Sequence, residues 1–425
     1  MNKVGMALGL ALAVSAACAA DAWLRGTTAK DPLAYAPGEE MIFTLTLEDG
    51  AGEGKEIAWE RTGDDGKKEK GRGAATGPVV VKTSLDRPGF VRIYAEVVAP
   101  GAELVGCRSR NVPTGIVFFD GGAGVNVDAI RPGVPAPKDF DAFWAKHKAN
   151  LAAVPMKDVK VVELPCANAK VKLCTVEIPC AGPRPATGYL TVPTAPGKYP
   201  ARIGFHGYGA SWGKAATDAP NCAKDKGNEV VLMLSAHGFE LNRDAAYYKA
   251  FRKTTQSNGH THAFDPKQNS DPETAYFCGM TYRVMRGLEY LKSRPEWNGK
   301  DLTAFGGSQG GLQAIWAAAL DPQVSACEIA IPWCCDIGGT EVGRNRGTWY
   351  VEWVPALGFY DPVNMAARIP KSCRVNIARA GLGDYTCPPA GIAAFYNSLT
   401  APKRIVWVQG STHGYVPPKA ERYVR

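Results

Sequence analysis

Six consecutive residues, Gly306-Gly307-Ser308-Gln309-Gly310-Gly311, hold a serine in a G-x-S-x-G pattern. A short apolar strand, Leu302 to Phe305, precedes them, and Gln309 to Leu320 follows with helical period. This is the context of a nucleophile elbow, in which a tight strand-to-helix turn raises the serine hydroxyl into the crevice above the strand ends. The flanking glycines let the two backbones crowd together. A serine hydroxyl is a weak nucleophile until a base takes its proton. The chemistry implied is acyl transfer through a covalent ester, which requires a base, an acid to orient it and donors for the oxyanion.

Hydrolases with this elbow carry the three groups in the order Ser, acid, His. The histidines are His147, His206, His237, His260, His262 and His413, and only His413 follows Ser308. It sits in Gly410-Ser411-Thr412-His413-Gly414, after the strand Arg404 to Val408, as a loop-borne base should. The acidic residues between are Asp321, Glu328, Asp336, Glu341, Glu352, Asp361 and Asp384. Asp384 is preferred because Gly381-Leu382-Gly383-Asp384 directly follows the apolar strand Cys373 to Ala380; Asp336 and Asp361 come next. A carboxylate there would fix the imidazole tautomer and stabilise the imidazolium. The oxyanion donors expected are the backbone N–H of Gln309 and that of Tyr208, in the turn Phe205-His206-Gly207-Tyr208-Gly209. His206 is read as shaping that turn. Tyr208 and the residues around Trp212 are the candidate substrate-binding wall. Trp349, Tyr350 and Trp353 could stack on sugar rings or simply pack a core.

The elements that must position these residues divide the chain. Residues 21–120 read as all-β, with strands Met41 to Glu48, Glu56 to Arg61, Pro78 to Ser84 and Phe90 to Val98 separated by Gly-, Asp- and Pro-rich turns. That length and pattern suggest a small Ig-like sandwich. Residues 121–136 read as a linker, with Gly121-Gly122-Ala123-Gly124 as its hinge. From 137 to 425 a helix, Asp139 to Leu151, leads into alternating strands and helices. The strands are Ala201 to His206, Glu229 to Ser235, Asp301 to Phe305 and Cys373 to Ala380, and Glu273 to Arg294 is helical in period. Buried strands alternating with helices predict an α/β domain with a mostly parallel sheet covered on both faces, an α/β-hydrolase. Residues 238–271 are polar and irregular, an excursion expected near the site.

Composition narrows the class. The 425 residues are 45% hydrophobic and 21% charged, which excludes disordered, collagenous and membrane-embedded chains. The net charge of +8 is mild for this length. Its one dense run, Lys67, Lys68, Lys70 and Arg72, reads as a solvated hairpin tip and not as a nucleic-acid patch. Residues 1–20 read as a signal peptide: Lys3, an apolar stretch Val4 to Val14, then small residues suited to cleavage after Ala19 or Ala20. The stretch is too short to span a bilayer, and a lipid anchor at Cys18 lacks the leucine three residues earlier. The expectation is an exported protein, periplasmic or extracellular, without cofactor. Twelve cysteines, eleven beyond Cys18, then imply some disulfides. No CxxC pair is present, and His260 and His262 read as plain loop histidines, so no metal is expected.

The chain from about 135 to 418 resembles the acetyl xylan esterase and cephalosporin C deacetylase family, carbohydrate esterase family seven. The resemblance rests on Asp139-Phe140-Asp141 with Phe143-Trp144, Phe205-His206-Gly207-Tyr208, Gly306 to Gly311, and Gly381 to Asp384 with Cys387-Pro388-Pro389. It continues through Tyr396-Asn397 and Gly410 to Gly414. It implies an α/β-hydrolase that removes acetyl groups from xylan or related carbohydrates. It also implies Ser308, Asp384 and His413 as triad, with Tyr208 and Gln309 forming the oxyanion hole. Where the family usually carries Asp-x-Arg-Gly-Gln, this chain has Ser235-Ala236-His237-Gly238-Phe239. The β-rich front part is absent from compact members. The competing readings are a peptidase of the prolyl-oligopeptidase type, whose propeller or long β domain would not fit into about a hundred residues, and a non-catalytic glycan-binding protein, which would not need all three triad residues.

Overall fold

The computed structural model describes residues 22–106 and 115–425. The expected signal peptide lies outside them, as do Cys18 and Cys107.

Seven strands come first: β1 (Trp23–Thr28), β2 (Met41–Glu48), β3 (Glu56–Gly63), β4 (Glu69–Ala74), β5 (Val79–Thr83), β6 (Gly89–Val98) and β7 (Phe118–Val125). They form two antiparallel sheets, β1-β2-β5 and β4-β3-β6-β7. Alternation builds the core between them: Met41, Phe43 and Leu45 of β2 point inward while Ile42, Thr44 and Thr46 are only partly covered. These side chains meet Val79 and Val81 of β5 and Ile57, Val91, Ile93, Phe119 and Val125 of the second sheet. This is the Ig-like sandwich expected, but its last strand corrects the expected hinge. Gly121, Gly122 and Gly124 lie inside β7, paired with Ile93, Arg92 and Phe90 of β6. Glycine is needed there for close approach: a Cβ on Gly122 would sit 2.2 Å from Val91 O, and one on Gly121 2.3 Å from Gln409 Oε1.

The second part is a ten-stranded sheet with helices. Its strands are β8 (Lys160–Leu164), β9 (Val171–Ile178), β10 (Ala186–Pro193), β11 (Tyr199–Phe205), β12 (Val230–Leu234) and β13 (Trp297–Gly307). β14 (Ala326–Ala330), β15 (Arg374–Gly381), β16 (Lys403–Val408) and β17 (Arg422–Val424) complete it. The order is β17-β16-β15-β14-β13-β11-β12-β10-β9-β8, and the six strands from β16 to β12 are mutually parallel. Antiparallel β8–β10 and β17 complete the two edges. Helices Tyr276–Ser293, Gln309–Leu320 and Pro389–Ser398 bury almost all their apolar residues, so the central strands are near-continuous apolar runs.

Every described cysteine is an unpaired thiol, so none of the expected disulfides occurs among the described residues. Six of the ten are buried and pack as small apolar side chains.

Candidate active site

β13 ends at Gly307 and the helix Gln309–Leu320 begins two residues later, leaving Ser308 alone to make the turn. Its backbone is at φ 56° and ψ −121°, a conformation that L residues rarely adopt. Hydrogen bonds on both sides hold it: Ser308 N–H donates to Ala330 O, and its carbonyl accepts from Leu312 and Trp333 N–H, each at 3.1 Å. The glycines are sterically required. A Cβ on Gly306 would lie 2.6 Å from the Gly310 carbonyl carbon, and one on Gly310 would lie 2.2 Å from Phe205 O. The elbow is thus wedged against the end of β11, the strand that leads into Tyr208.

Asp384 and His413 come together as expected. Asp384 is fully buried. One carboxylate oxygen accepts the N–H groups of Thr386 and Cys387, each at 3.0 Å, and the other lies 3.0 Å from His413 Nδ1. With both oxygens committed, the carboxylate is fixed in rotation, and a neutral His413 carries its proton on Nδ1 toward it, with Nε2 unprotonated. The competing acids are engaged elsewhere. Asp361 accepts the N–H groups of Asp336, Ile337 and Val363, and Asp336 pairs with Arg344.

The Tyr208 turn runs beside the elbow: a Cβ on Gly207 would be 3.8 Å from Ser308 Cβ. The Tyr208 hydroxyl donates to His262 O at 2.8 Å, so its ring is anchored. Trp333 and Trp349 both stand edge-on to that ring, with centroids at 5.4 Å. Trp333, Trp349 and Tyr350 line a cavity of about 50 Å³, together with Thr386 and Pro388. Trp353 only packs against the core.

A sequence profile described as acetyl xylan esterase matches residues 126–352 and 350–425. The chain belongs to that family. It is a family of carboxylic ester hydrolases. Acetyl esterase Axe7A of Xylanibacter ruminicola is 30% identical over 296 residues, which cover 66% of this chain and 64% of that protein. The chain therefore spans somewhat under two thirds of the length of this relative. Among solved structures, an acetyl xylan esterase from Paenibacillus sp. R4 superposes with a TM-score of 0.55 at 21% identity, covering 68% of this chain and 94% of that one. Acetyl xylan esterase 1 from Thermoanaerobacterium sp. JW/SL YS485 gives 0.54 at 20% identity, over 69% and 93%. These two likenesses show the α/β-hydrolase fold.

In this member of the family, two histidines that sequence reasoning left outside the site are buried directly behind it. His262 stacks flat on Tyr208, with ring centroids 3.9 Å apart and planes 9° apart, and its Nε2 lies 3.0 Å from Gln309 Oε1. His237, in the stretch that departs from the family pattern, stands 4.6 Å from His262. Its bonds have one consistent direction. The Ser211 hydroxyl donates to Tyr208 O at 2.7 Å, so it accepts from His237 Nε2–H at 2.8 Å, and His237 Nδ1 accepts from the Tyr276 hydroxyl at 2.9 Å. Both residues expected to supply oxyanion donors, Tyr208 and Gln309, are thereby held by neutral imidazoles. Burial pushes the His262 pKa down to about 3 and, with His262 beside it, holds His237 well below the ordinary range. His260, by contrast, is exposed.

This pair predicts acid sensitivity of the fold. In the unfolded chain an imidazole takes a proton near pH ~6.5; here it does not until far lower. The folded pKa is depressed, so stability is complete above about pH 7 and is lost as pH falls through ~6.5, by roughly 1.4 kcal/mol per pH unit for each histidine. Urea midpoints measured between pH 7 and 4.5 should fall steeply, and less steeply in His262→Gln. Parallel curves for the two proteins would refute the assignment.

Cys387 also reaches the site. Its thiol lies beside Ser308, and its Sγ, an Asp384 oxygen and a His413 nitrogen fall within 4.8 Å of one another. Burial pushes the thiol well above its ordinary pKa, so it is a neutral filler there, not a thiolate nucleophile.

The front sheets support the loops that carry Asp384 and His413. Gln409 exchanges two hydrogen bonds with Gly122 of β7, at 3.0 and 2.9 Å. Arg92 of β6 forks onto both oxygens of Asp120, at 2.7 and 2.5 Å, and its guanidinium covers the ring of Tyr385, next to Asp384. Gly383 packs so tightly on β7 that a Cβ there would stand 1.8 Å from Asp120 O.

Proposed function

We propose that this chain is a serine esterase that removes acetyl groups from hydroxyls of acetylated xylan or related carbohydrates. The catalytic unit is residues 137–425, and the leader-like residues 1–20 support export. No described helix is long and apolar enough to cross a membrane. The observation that carries the reading is the fixed Asp384–His413 pair beside the strained turn of Ser308, in a chain of the acetyl xylan esterase family.

His413 Nε2 takes the Ser308 proton as Oγ attacks the acetyl carbonyl. The N–H groups of Gln309 and Tyr208 receive the oxyanion, a term worth about 3 kcal/mol per donor. Collapse expels the sugar oxygen, which takes the proton from His413. Water, activated by the same imidazole, then releases acetate and restores Ser308. Asp384 holds the imidazole and stabilises the imidazolium that forms.

Membership of the acetyl xylan esterase family supports a site suited to a short acyl group. A chain too long to enter is excluded by clash, and each methylene left outside forfeits roughly 0.8 kcal/mol of burial. Specificity constants for acetyl, butyryl and octanoyl esters of one leaving group should therefore fall along that series, and acetate should be released from acetylated xylan. Rates that rise with chain length indicate a lipase-like site instead. A peptide amide cleaved faster than the acetyl ester indicates a peptidase.

A further inference from the structure

The mild overall charge conceals one strongly basic cavity. It has a volume of about 710 Å³ and lies between the short helical turn after Tyr208 and the helix Ala245–Lys253. Five cations line it, Lys214, Arg243, Lys249, Arg252 and Lys253, against one carboxylate, Asp218. No run of sequence shows the cluster, because the fold gathers it from residues 214 and 243–253.

Arg243 pairs with Glu240. Lys214, Lys249, Arg252 and Lys253 have no carboxylate within ion-pair distance among the described residues, so their charge is available to a ligand. The Asp218 carboxylate accepts from the neighbouring Thr217 hydroxyl. Trp212 lines the same cavity, and Arg252 lies over its ring. Its indole N–H is buried without an acceptor. An aromatic ring beside a cluster of unpaired cations is the chemistry that receives a sugar-borne anion.

The cavity is close to the reacting serine. Gly207 is in near contact with Ser308, and Trp212 follows five residues later through a tight 3₁₀ turn, Ala210–Trp212. Five residues can span at most ~3.6 Å each, so the path is no more than about 18 Å long. A polysaccharide with one sugar at Ser308 can reach the cavity with a neighbouring sugar or branch.

We infer that this cavity is a subsite for a carboxylate-bearing sugar, a uronic acid residue, on the acetylated polysaccharide. The inference rests on the esterase reading of Ser308 and deepens it: the preferred substrate is an acidic acetylated glycan. Cations of this density accelerate and tighten the capture of an anionic ligand, by about tenfold or more at low salt, and the effect is screened as ionic strength rises.

The test compares two substrates, an acetylated oligosaccharide bearing uronic acid and the same material with its carboxyl groups reduced. At low salt, kcat/KM for the acidic form should exceed that of the reduced form by about tenfold. The difference should collapse near 1 M salt, where the screening length is ~3 Å. It should also collapse in the triple variant Lys214→Gln, Lys249→Gln, Lys253→Gln, whose hydrolysis of a small acetyl ester stays at the parental rate. Equal rates on both oligosaccharides, or a preference that survives the triple substitution, overturn the subsite and leave the esterase reading intact. If neither oligosaccharide is deacetylated while the small ester is, the polysaccharide reading has failed. The subsite is then judged by titrating the Ser308→Ala protein with the deacetylated acidic oligosaccharide. Salt-sensitive binding supports it, and no binding overturns it.

Discussion

Ser308→Ala should lower kcat on an acetyl ester by about 10⁶-fold while the protein folds as before. The substitution removes one small hydroxyl. The main-chain bonds that hold the turn, to Ala330, Leu312 and Trp333, all use backbone atoms and survive it. What is lost is the covalent route itself, and triad members act as a unit, so the remaining groups recover little of the rate. Residual turnover of roughly 10³-fold over water is expected from substrate binding and the Gln309 and Tyr208 donors. Steady-state hydrolysis measured beside circular dichroism decides it. A folded variant within tenfold of the parent would remove Ser308 from the mechanism.

Asp384→Asn should cost about 10³- to 10⁴-fold in kcat, with a much smaller change in KM. One Asp384 oxygen is held by the N–H groups of Thr386 and Cys387, and an asparagine carbonyl would keep those bonds. The amide nitrogen would then face His413 Nδ1 as a donor. That forces the imidazole into the tautomer whose Nε2 carries the proton, and it can no longer take one from Ser308. The same substitution removes the charge that stabilises the imidazolium. A loss below tenfold would show that the 3.0 Å contact positions a loop and takes no part in the chemistry.

The parts of this site legible in the sequence are those set by local chain geometry. The elbow is visible because a strand, a single serine and a helix must be joined by glycines, and Gly306 and Gly310 are indeed the two backbones in contact. Asp384 is visible because it follows the end of a buried strand, and His413 because no other histidine follows Ser308. His237 and His262 were not legible. The polar stretch 238–271 is expected near the site, but nothing in it shows that His262 will fold beneath Tyr208 and Gln309, and a polar loop histidine looks alike whether exposed or buried. The glycines of β7 misled for a related reason. Glycine marks both flexibility and close approach, and only the partner surface, here Val91 and Gln409, distinguishes them. The cysteines misled because a leader-like start points to an oxidising compartment, whereas residues such as Cys327 and Cys373 are packed as apolar core.

Seating Gly383 directly on Asp120 and bonding Gln409 to Gly122 has a thermodynamic consequence. The loops carrying Asp384 and His413 take much of their local stability from strands formed before residue 126. Those strands in turn bury Phe90 against Trp407 and Phe118 against Tyr415. Melting either half strips partners from the other, so the two free energies merge into one cooperative unit in place of the independent steps usual for loosely joined halves. Calorimetry should give a single endotherm, and hydrolysis should vanish at its midpoint. The working life of the catalyst at elevated temperature is then set by the β-sandwich as much as by the part that carries Ser308.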